Sequence, residues 1–278
     1  MITICLDAGH YGKYNQSPVL PSYYESEMNW KLHLFLKKEL QAYGVKVVCT
    51  RTEPESDLPL AERGKRAKGC DLLLSLHSNG AQRESADHVV IFTMVGEDDC
   101  AKTSNALAKR LAPVITEVMG VRETQYRIAA NYSENDRDGD GLLDDNYYGV
   151  LFGAQTVDVP ALIVEHSFHT NLRSVKWLSS DENLQKLAGA EAKVIADFFG
   201  LSKEIYRVQV GAYKNRKNAE KMLLKLKNAG YDGFITQKED YYKVQVGAYE
   251  IKENAKRMEK KLKAAGFSTY IETISHSQ

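Results

Sequence analysis

The sequence contains no uninterrupted apolar run approaching the ~20 residues of a membrane-spanning helix, so no membrane span is expected within it. It also shows no basic-then-apolar leader ahead of its first strand-like segment, so the expectation is synthesis in the cytoplasm without a signal peptide. Cysteine is scarce: the four present, Cys5, Cys49, Cys70 and Cys100, lie in the first hundred residues and none forms a CxxC. Three of them sit in or beside apolar strand-like runs, which favours free buried thiols over disulfides or a thiolate metal site. Net charge is absent as well, with 37 Lys+Arg against 37 Asp+Glu. That balance conceals an asymmetry, because residues 201–278 hold 16 Lys+Arg against 9 Asp+Glu, leaving +7 there and −7 in residues 1–200. Two domains with different partners account for such a split.

What is present is a soluble-protein composition, 43% hydrophobic and 27% charged, over 278 residues. That length fits one large domain followed by a small one. The run from Met1 to Ala8 reads as a buried strand that delivers His10 at the edge of a sheet. Apolar residues at Met28, Leu32, Phe35, Leu36, Leu40 and Tyr43 then mark an amphipathic helix ended by Gly44. A strand over Val45–Thr50, a short helix over Pro59–Lys68 and a strand over Leu72–Leu76 follow, the last ending at His77-Ser78-Asn79. This β-α-β-α-β order predicts an α/β fold, a mostly parallel sheet with helices on both faces. Further on come a strand at Val89–Phe92, a helix from Cys100 to Met119 and a long polar loop from Gly120 to Tyr148. The last strand, Ala161–Val164, ends at Glu165, and a helix over 181–199 closes the domain.

The remainder repeats itself. Tyr206-Arg207-Val208-Gln209-Val210-Gly211-Ala212-Tyr213 returns 36 residues later as Tyr242-Lys243-Val244-Gln245-Val246-Gly247-Ala248-Tyr249, each copy followed by a Lys-rich helix and a strand. Two such units predict a small ferredoxin-like βαββαβ (α+β) C-terminal domain. The boundaries read as 1–200 for the first domain, 201–204 for a linker and 205–274 for the second. Strict alternation would put Val208, Val210, Ala212, Val244, Val246 and Ala248 on the helix-covered face. Arg207, Gln209, Lys243 and Gln245 would then share the open face with Gly211 and Gly247.

In a parallel α/β sheet the carboxyl ends of the strands share one edge, so His10, His77 and Glu165 can converge there with Glu25 from the start of a helix. Two imidazoles and a carboxylate suit zinc, and a further carboxylate beside its water can serve as general base. Each residue also has a structural explanation. Either histidine can be satisfied by neighbouring backbone, Ser22-x-x-Glu25 is a capping box, and Glu165 can sit in an ion pair. Another signal lies in the polar loop, where Asp136, Asp138, Asp140 and Asp144 match DxDGDGxxD, a calcium-loop spacing that lacks the closing Glu because Tyr147 stands there. The alternative is an acidic, solvated loop.

In order along the chain, Leu6-Asp7-Ala8-Gly9-His10, Glu25-Ser26-Glu27-Met28-Asn29-Trp30, Thr50-Arg51, Arg63, Ser75-Leu76-His77-Ser78-Asn79 and Leu162-Ile163-Val164-Glu165-His166-Ser167-Phe168-His169-Thr170-Asn171 resemble the signature of zinc-dependent N-acetylmuramoyl-L-alanine amidases of the type-3 class. The resemblance covers residues 1–199. It implies His10, Glu25 and His77 as zinc ligands, with Glu27 close enough to compete with Glu25, and Glu165 as the catalytic carboxylate. Asn79, His166, His169 and Asn171 fall beside these as substrate contacts or supporting residues. Ala8 and Tyr11 stand where the family usually has Pro and Gly, a change that reshapes the first loop while leaving the ligand. The implied reaction is hydrolysis of the amide between the lactyl group of muramic acid and L-alanine.

The second domain resembles SPOR domains, which bind peptidoglycan, notably glycan strands stripped of stem peptides. RNA is the rival occupant of a basic ferredoxin-like sheet, and the absence of paired stacking aromatics in the repeated strands argues against nucleic acid. A dimerisation or folding appendage is the non-binding alternative. The combined reading is a zinc amidase on a wall-binding module, with peptidoglycan as partner, no membrane span and an oligomeric state left open. Without an export signal, access to the wall would come by lysis, as for a phage endolysin or a mother-cell autolysin. A zinc carboxypeptidase acting on stem peptides and a catalytically dead wall-binding protein are the competing readings.

Overall fold

The computed structural model describes residues 1–123 and 125–275. Two compact units divide the chain, Met1–Leu201 and Ser202–Gln278. In the first unit the strands are β1 (Thr3–Ala8), β2 (Lys46–Cys49), β3 (Leu72–Asn79), β4 (Val90–Thr93), β5 (Arg127–Ala130) and β6 (Ala161–Phe168). The helices are α1 (Glu25–Ala42), α2 (Leu60–Lys65), α3 (Asp99–Met119), α4 (Gly149–Gln155), α5 (Leu172–Leu178) and α6 (Asp181–Phe198). The six strands form one sheet in the order β2-β1-β3-β6-β4-β5. Every neighbouring pair is parallel except β4 against β6.

Burial explains why these segments are strands. The leucines of β3 alternate between two cores, Leu72, Leu74 and Leu76 on one side and Leu73 on the other, as a central strand covered on both faces requires. The larger core receives α1 through Met28, Leu32, Leu36 and Leu40, spaced one turn apart, and also packs side chains of α3 and α6. The smaller core joins Cys5, Leu73 and Ile163 to Val150, Leu151 and Ala154 of α4. All four cysteines are free thiols, Cys5 being fully buried.

Three departures from the sequence pattern matter for function. Strand β3 runs on through His77 to Asn79 and β6 through Glu165 to Phe168, because backbone pairing continues, with His77 in register with Glu165. The loop from Gly120 to Tyr148 is not wholly irregular: β5 pairs parallel with β4 inside it, which satisfies backbone groups that a bare loop would leave to water. Ser22 forms no capping box, since α1 starts at Glu25 itself with Tyr24 as an N-cap that makes no side-chain bond. The Glu25 carboxylate is thereby free for other partners. The short helices α4 and α5 have no counterpart in the sequence reading.

The second unit runs β7 (Glu204–Tyr213), α7 (Arg216–Asn228), β8 (Phe234–Lys238), β9 (Tyr241–Tyr249), α8 (Lys252–Ala264) and β10 (Tyr270–Ser275). Its antiparallel sheet has the order β10-β7-β9-β8, the βαββαβ arrangement expected from the repeat. Val208, Val210, Val244 and Val246 pack on Ala219 and Leu226 of α7 and Ala255 and Leu262 of α8. The simple alternation fails at one place in each copy. Partners run Arg207↔Ala248, Gln209↔Gln245 and Gly211↔Val244, so each strand carries one extra residue at a β-bulge. Beyond each bulge the faces exchange. Ala212 and Ala248 are therefore exposed, whereas Tyr213 and Tyr249 pack against the core. Gly247 supports its bulge at φ 139°, a conformation L side chains rarely adopt.

Candidate metal centre and its surroundings

The centre forms where β1, β3 and β6 approach their carboxyl ends beside the first turn of α1. After Ala8 the chain turns through Gly9 to His10, which takes a left-handed φ of 58°. Gly9 is required by close approach, since a Cβ there would lie 2.2 Å from Cε1 of His77. Two buried arginines hold this turn. Arg51 donates from Nε to the Ala8 carbonyl at 2.9 Å, and Arg63 donates from Nη2 to the His10 carbonyl at 3.3 Å. Beneath them the fully buried Asp7 accepts from Thr50 and Ser75 hydroxyls, both at 2.6 Å, and lies 3.6 Å from Nη1 of Arg63.

Glu25 lies between the two histidines. Its Oε1 is 2.9 Å from Nδ1 of His77 and its Oε2 is 3.3 Å from Nε2 of His10. Tetrahedral zinc with bonds of about 2.0–2.1 Å separates neighbouring ligand atoms by roughly 3.3 Å, so these donors already stand at the spacing such an ion needs. One ligand atom from each of the three residues falls within 4.8 Å of the others. Glu25 is almost wholly buried and also accepts from Asn15 Nδ2 at 2.7 Å and the Ser78 amide at 3.0 Å. Burial alone would raise its pKa, but the bonds and charges of His10 and His77 hold it well below the usual carboxylate range. Burial works against the His77 imidazolium too, yet the adjoining Glu25 carboxylate keeps its pKa up at about 9.

Glu165 differs from Glu25 in having no donor for one of its oxygens: Oε2 is buried without a hydrogen-bond partner. Burial, reinforced by the Glu25 charge and opposed by the two nearby histidines, His77 first, pushes its pKa up to about 7. The two carboxylates are thus driven apart, one firmly ionised among donors and one poised near neutrality, the arrangement that separates a ligand from a proton carrier.

The remaining sequence candidates divide. Glu27 is exposed and stays outside the cluster. His169 is close, its Nδ1 lying 2.8 Å from the Ser78 carbonyl and 3.8 Å from Oε2 of Glu25. His166 does not face substrate space: it is fully buried, with Nε2 at 2.8 Å from Oε1 of the equally buried Glu191 and Nδ1 at 2.9 Å from the His77 carbonyl. Asn171 caps α5 by accepting from the Arg173 and Ser174 amides. The Asn79 side chain accepts from the Gly80 amide. In the acidic loop, Asp136 and Asp138 cluster with Asp145, while Asp140 and Asp144 stay outside that cluster. Sequence reasoning missed Asn15, Glu191 and Asp145. Glu191 carried a signal, a charged residue in the apolar i, i+3, i+4 face of α6, but Asn15 and Asp145 lie in polar loops outside any periodic pattern, and only the folded chain brings Asn15 to Glu25 and Glu191 to His166.

On the open face of the second unit, Arg207 and Lys243 are half-buried, whereas Gln209 and Gln245 are nearly inaccessible at 6% and 2% exposure. Glu272 of β10 accepts from Gln209 Nε2 at 2.5 Å and from Lys243 Nζ at 2.7 Å, so this face is more neutral than the sequence pattern suggests. Register places Tyr270, Gln209, Gln245 and Phe234 in one row across all four strands. The row ends in two exposed rings, Tyr270 at 65% and Phe234 at 49%, so the face does carry aromatics, on β10 and β8 rather than on the repeated strands.

A family model described as N-acetylmuramoyl-L-alanine amidase matches residues 4–197, and a SPOR domain model matches residues 202–274. N-acetylmuramoyl-L-alanine amidase CwlM of Bacillus licheniformis is 26% identical over 246 residues, 86% of each chain. The sporulation-specific N-acetylmuramoyl-L-alanine amidase of Bacillus subtilis (strain 168) is 24% identical over 247 residues, again 86% of each. The catalytic domain of CwlV, an N-acetylmuramoyl-L-alanine amidase from Bacillus (Paenibacillus) polymyxa var. colistinus, shares the fold with a TM-score of 0.56 at 19% identity, over 72% of this chain and 99% of that one.

Proposed function

The chain belongs to the N-acetylmuramoyl-L-alanine amidase family, and we propose that its His10, Glu25 and His77 hold the zinc ion typical of that family while Glu165 carries the proton. The activity is hydrolysis of peptidoglycan at the amide joining N-acetylmuramic acid to L-alanine of the stem peptide. The observation that carries the assignment of roles is the contrast between two carboxylates, the buried Glu25, donor-filled between two imidazoles, and the half-buried Glu165, whose Oε2 has no partner.

The donor set fits zinc in type and spacing, and when bound the ion supplies polarisation of the scissile carbonyl and an acidified water. The protein's own part is positional and protonic. Arg51 and Arg63 fix the His10 turn through main-chain carbonyls, and Asn15 and the Ser78 amide orient the Glu25 carboxylate. Glu165 accepts the water proton and returns it to the departing amine of L-alanine, a role that suits a carboxylate oxygen left without a donor of its own. In the SPOR domain the Tyr270–Gln209–Gln245–Phe234 row ends in two exposed rings that offer faces for sugars, a surface suited to glycan. Tethering by that face raises the effective concentration of the catalytic unit on the polymer. No helix among the described residues is long and apolar enough to cross a membrane.

Digestion of purified wall with and without a chelator tests the assignment. New free L-alanine amino termini, seen by mass spectrometry and abolished by the chelator, are expected. Release of terminal amino acids from the stem would mean a carboxypeptidase, and chelator-resistant cleavage would remove the metal centre.

A further inference from the structure

The loop between β5 and α4 carries a group of acids for which hydrolysis at the strand edge has no use. One carboxylate oxygen from each of Asp136, Asp138 and Asp145 lies within 4.8 Å of the others. Exposed acids crowd on loops without consequence when water screens them, so the cluster alone says little. Asp145 changes its meaning. The residue has no exposed surface, its Oδ2 accepts the amides of Arg137 at 2.6 Å and Asp138 at 3.3 Å, and its Oδ1 is buried with no hydrogen-bond partner. A buried carboxylate oxygen without a donor is costly, and proteins retain one where something outside the chain completes it. The loop's one basic residue does not do so. Arg137 spends Nη1 on the carbonyls of Asn146 at 2.8 Å and Tyr147 at 3.0 Å, and its guanidinium sits 4.2 Å over the Phe152 ring.

We infer that this loop binds a hard divalent cation of the calcium class between Asp136, Asp138 and Asp145. The donors are all oxygen, and flexible geometry with several carboxylates suits calcium better than the strict octahedron of magnesium. Asp145 takes the place that the DxDGDGxxD spacing assigns to Asp144, because only Asp145 turns into the cluster. The cation offsets the mutual repulsion of the acids and braces both ends of the loop, which meet at the Tyr132↔Asn146 bridge just before Tyr148 packs on Phe92.

Full-length protein, stripped with chelator and reloaded with zinc, is titrated with calcium chloride by calorimetry, and tryptic cleavage after Arg137 is timed with and without calcium. The expected result is one calcium per chain with a Kd of about 10⁻⁴–10⁻³ M and slower cleavage when it is bound. Asp136→Asn and Asp145→Asn weaken binding about tenfold or more, while Asp144→Asn leaves it unchanged. Asp136 is exposed, so its variant decides the matter even if Asp145→Asn fails to fold. No calcium heat up to about 10 mM, full affinity in Asp136→Asn, or an equal loss in Asp144→Asn overturns the site.

Discussion

The two units of this protein place their polar groups by opposite means. In Met1–Leu201, side chains from four elements, separated by up to 155 positions from His10 to Glu165, meet at one sheet edge. In Ser202–Gln278, a short motif repeated 36 residues apart lays matching side chains side by side in the middle of a sheet. Convergence produces a buried site whose members depend on one another, so removing one should cost orders of magnitude. Repetition produces a shallow face whose contacts act nearly separately, so each removal should cost a small factor. The difference teaches where sensitivity to substitution should lie, and it can be broken experimentally from either side.

The largest effect is expected from Glu165→Gln. Its Oε2 has no partner to orphan, so the variant should keep its fold and its zinc. The rate of amide cleavage should nevertheless fall by about 10³-fold, within the range usual for a general acid–base group. Measuring wall digestion beside zinc stoichiometry checks both halves, and a loss below tenfold would place the proton transfer elsewhere.

Next in size is a pH effect on the metal. The folded pKa of His77 is raised from 6.5 to about 9 by Glu25, so the ion pair's contribution to the metal-free protein is complete below 6.5 and lost as pH rises through about 9. Glu25 is shifted the other way, so from its side the same contribution is present above 4.5 and disappears as pH falls well below it. Zinc requires a neutral His77, and binding must release that proton. Affinity should therefore climb by about tenfold per pH unit from 6.5 towards 9 and then level off. Chelator competition at several pH values reads the slope directly, and a flat profile would mean that His77 is not a ligand.

A smaller loss is expected from Glu191→Gln. Glu191 reaches the centre only through His166, which in turn faces the main-chain carbonyl of His77. Weakening this support should lower zinc affinity by about tenfold, as supporting residues behind metal ligands commonly do. The measurement is again chelator competition, with thermal melting of the metal-free form to separate positioning from lost stability. An unchanged affinity in a folded variant would leave His166 and Glu191 as core packing alone.

How much of this was legible in the sequence follows the same division. The positions of His10, His77 and Glu165 could be read because each follows a mostly apolar strand, and that of Glu25 because it opens an amphipathic helix, whereas their roles were implied only by the family resemblance. The neighbours that make them work could not. Asn15 lies in a polar loop, and Glu191 is a lone charge on the apolar face of α6 whose partner, His166, only the folded chain supplies. The capping box at Ser22 was a local pattern overruled by two imidazoles that only the folded chain brings near. In the SPOR domain the repeat announced the topology, but a single extra residue at each bulge reversed the faces beyond it. The backbone cause is a register shift, and no periodicity count detects one.

The smallest effect expected lies on that face. Gln209 and Gln245 are too buried to meet a ligand broadly, and Glu272 already engages Gln209 and Lys243. Contact area must then come from the exposed rings at the ends of the row, Tyr270 and Phe234. An aromatic contact is worth about 0.5–1.5 kcal/mol beyond its buried area, so Tyr270→Ala or Phe234→Ala should weaken binding to purified wall by roughly two- to twelvefold. Cleavage of a soluble muramoyl-peptide should not change, since neither ring belongs to the catalytic unit. Because the rings stand on β10 and β8, with the two glutamines between them, their losses should also add when combined. A double variant that binds wall no worse than either single one would show that the two rings act as one coupled unit, and the face would then not be a set of nearly separate contacts.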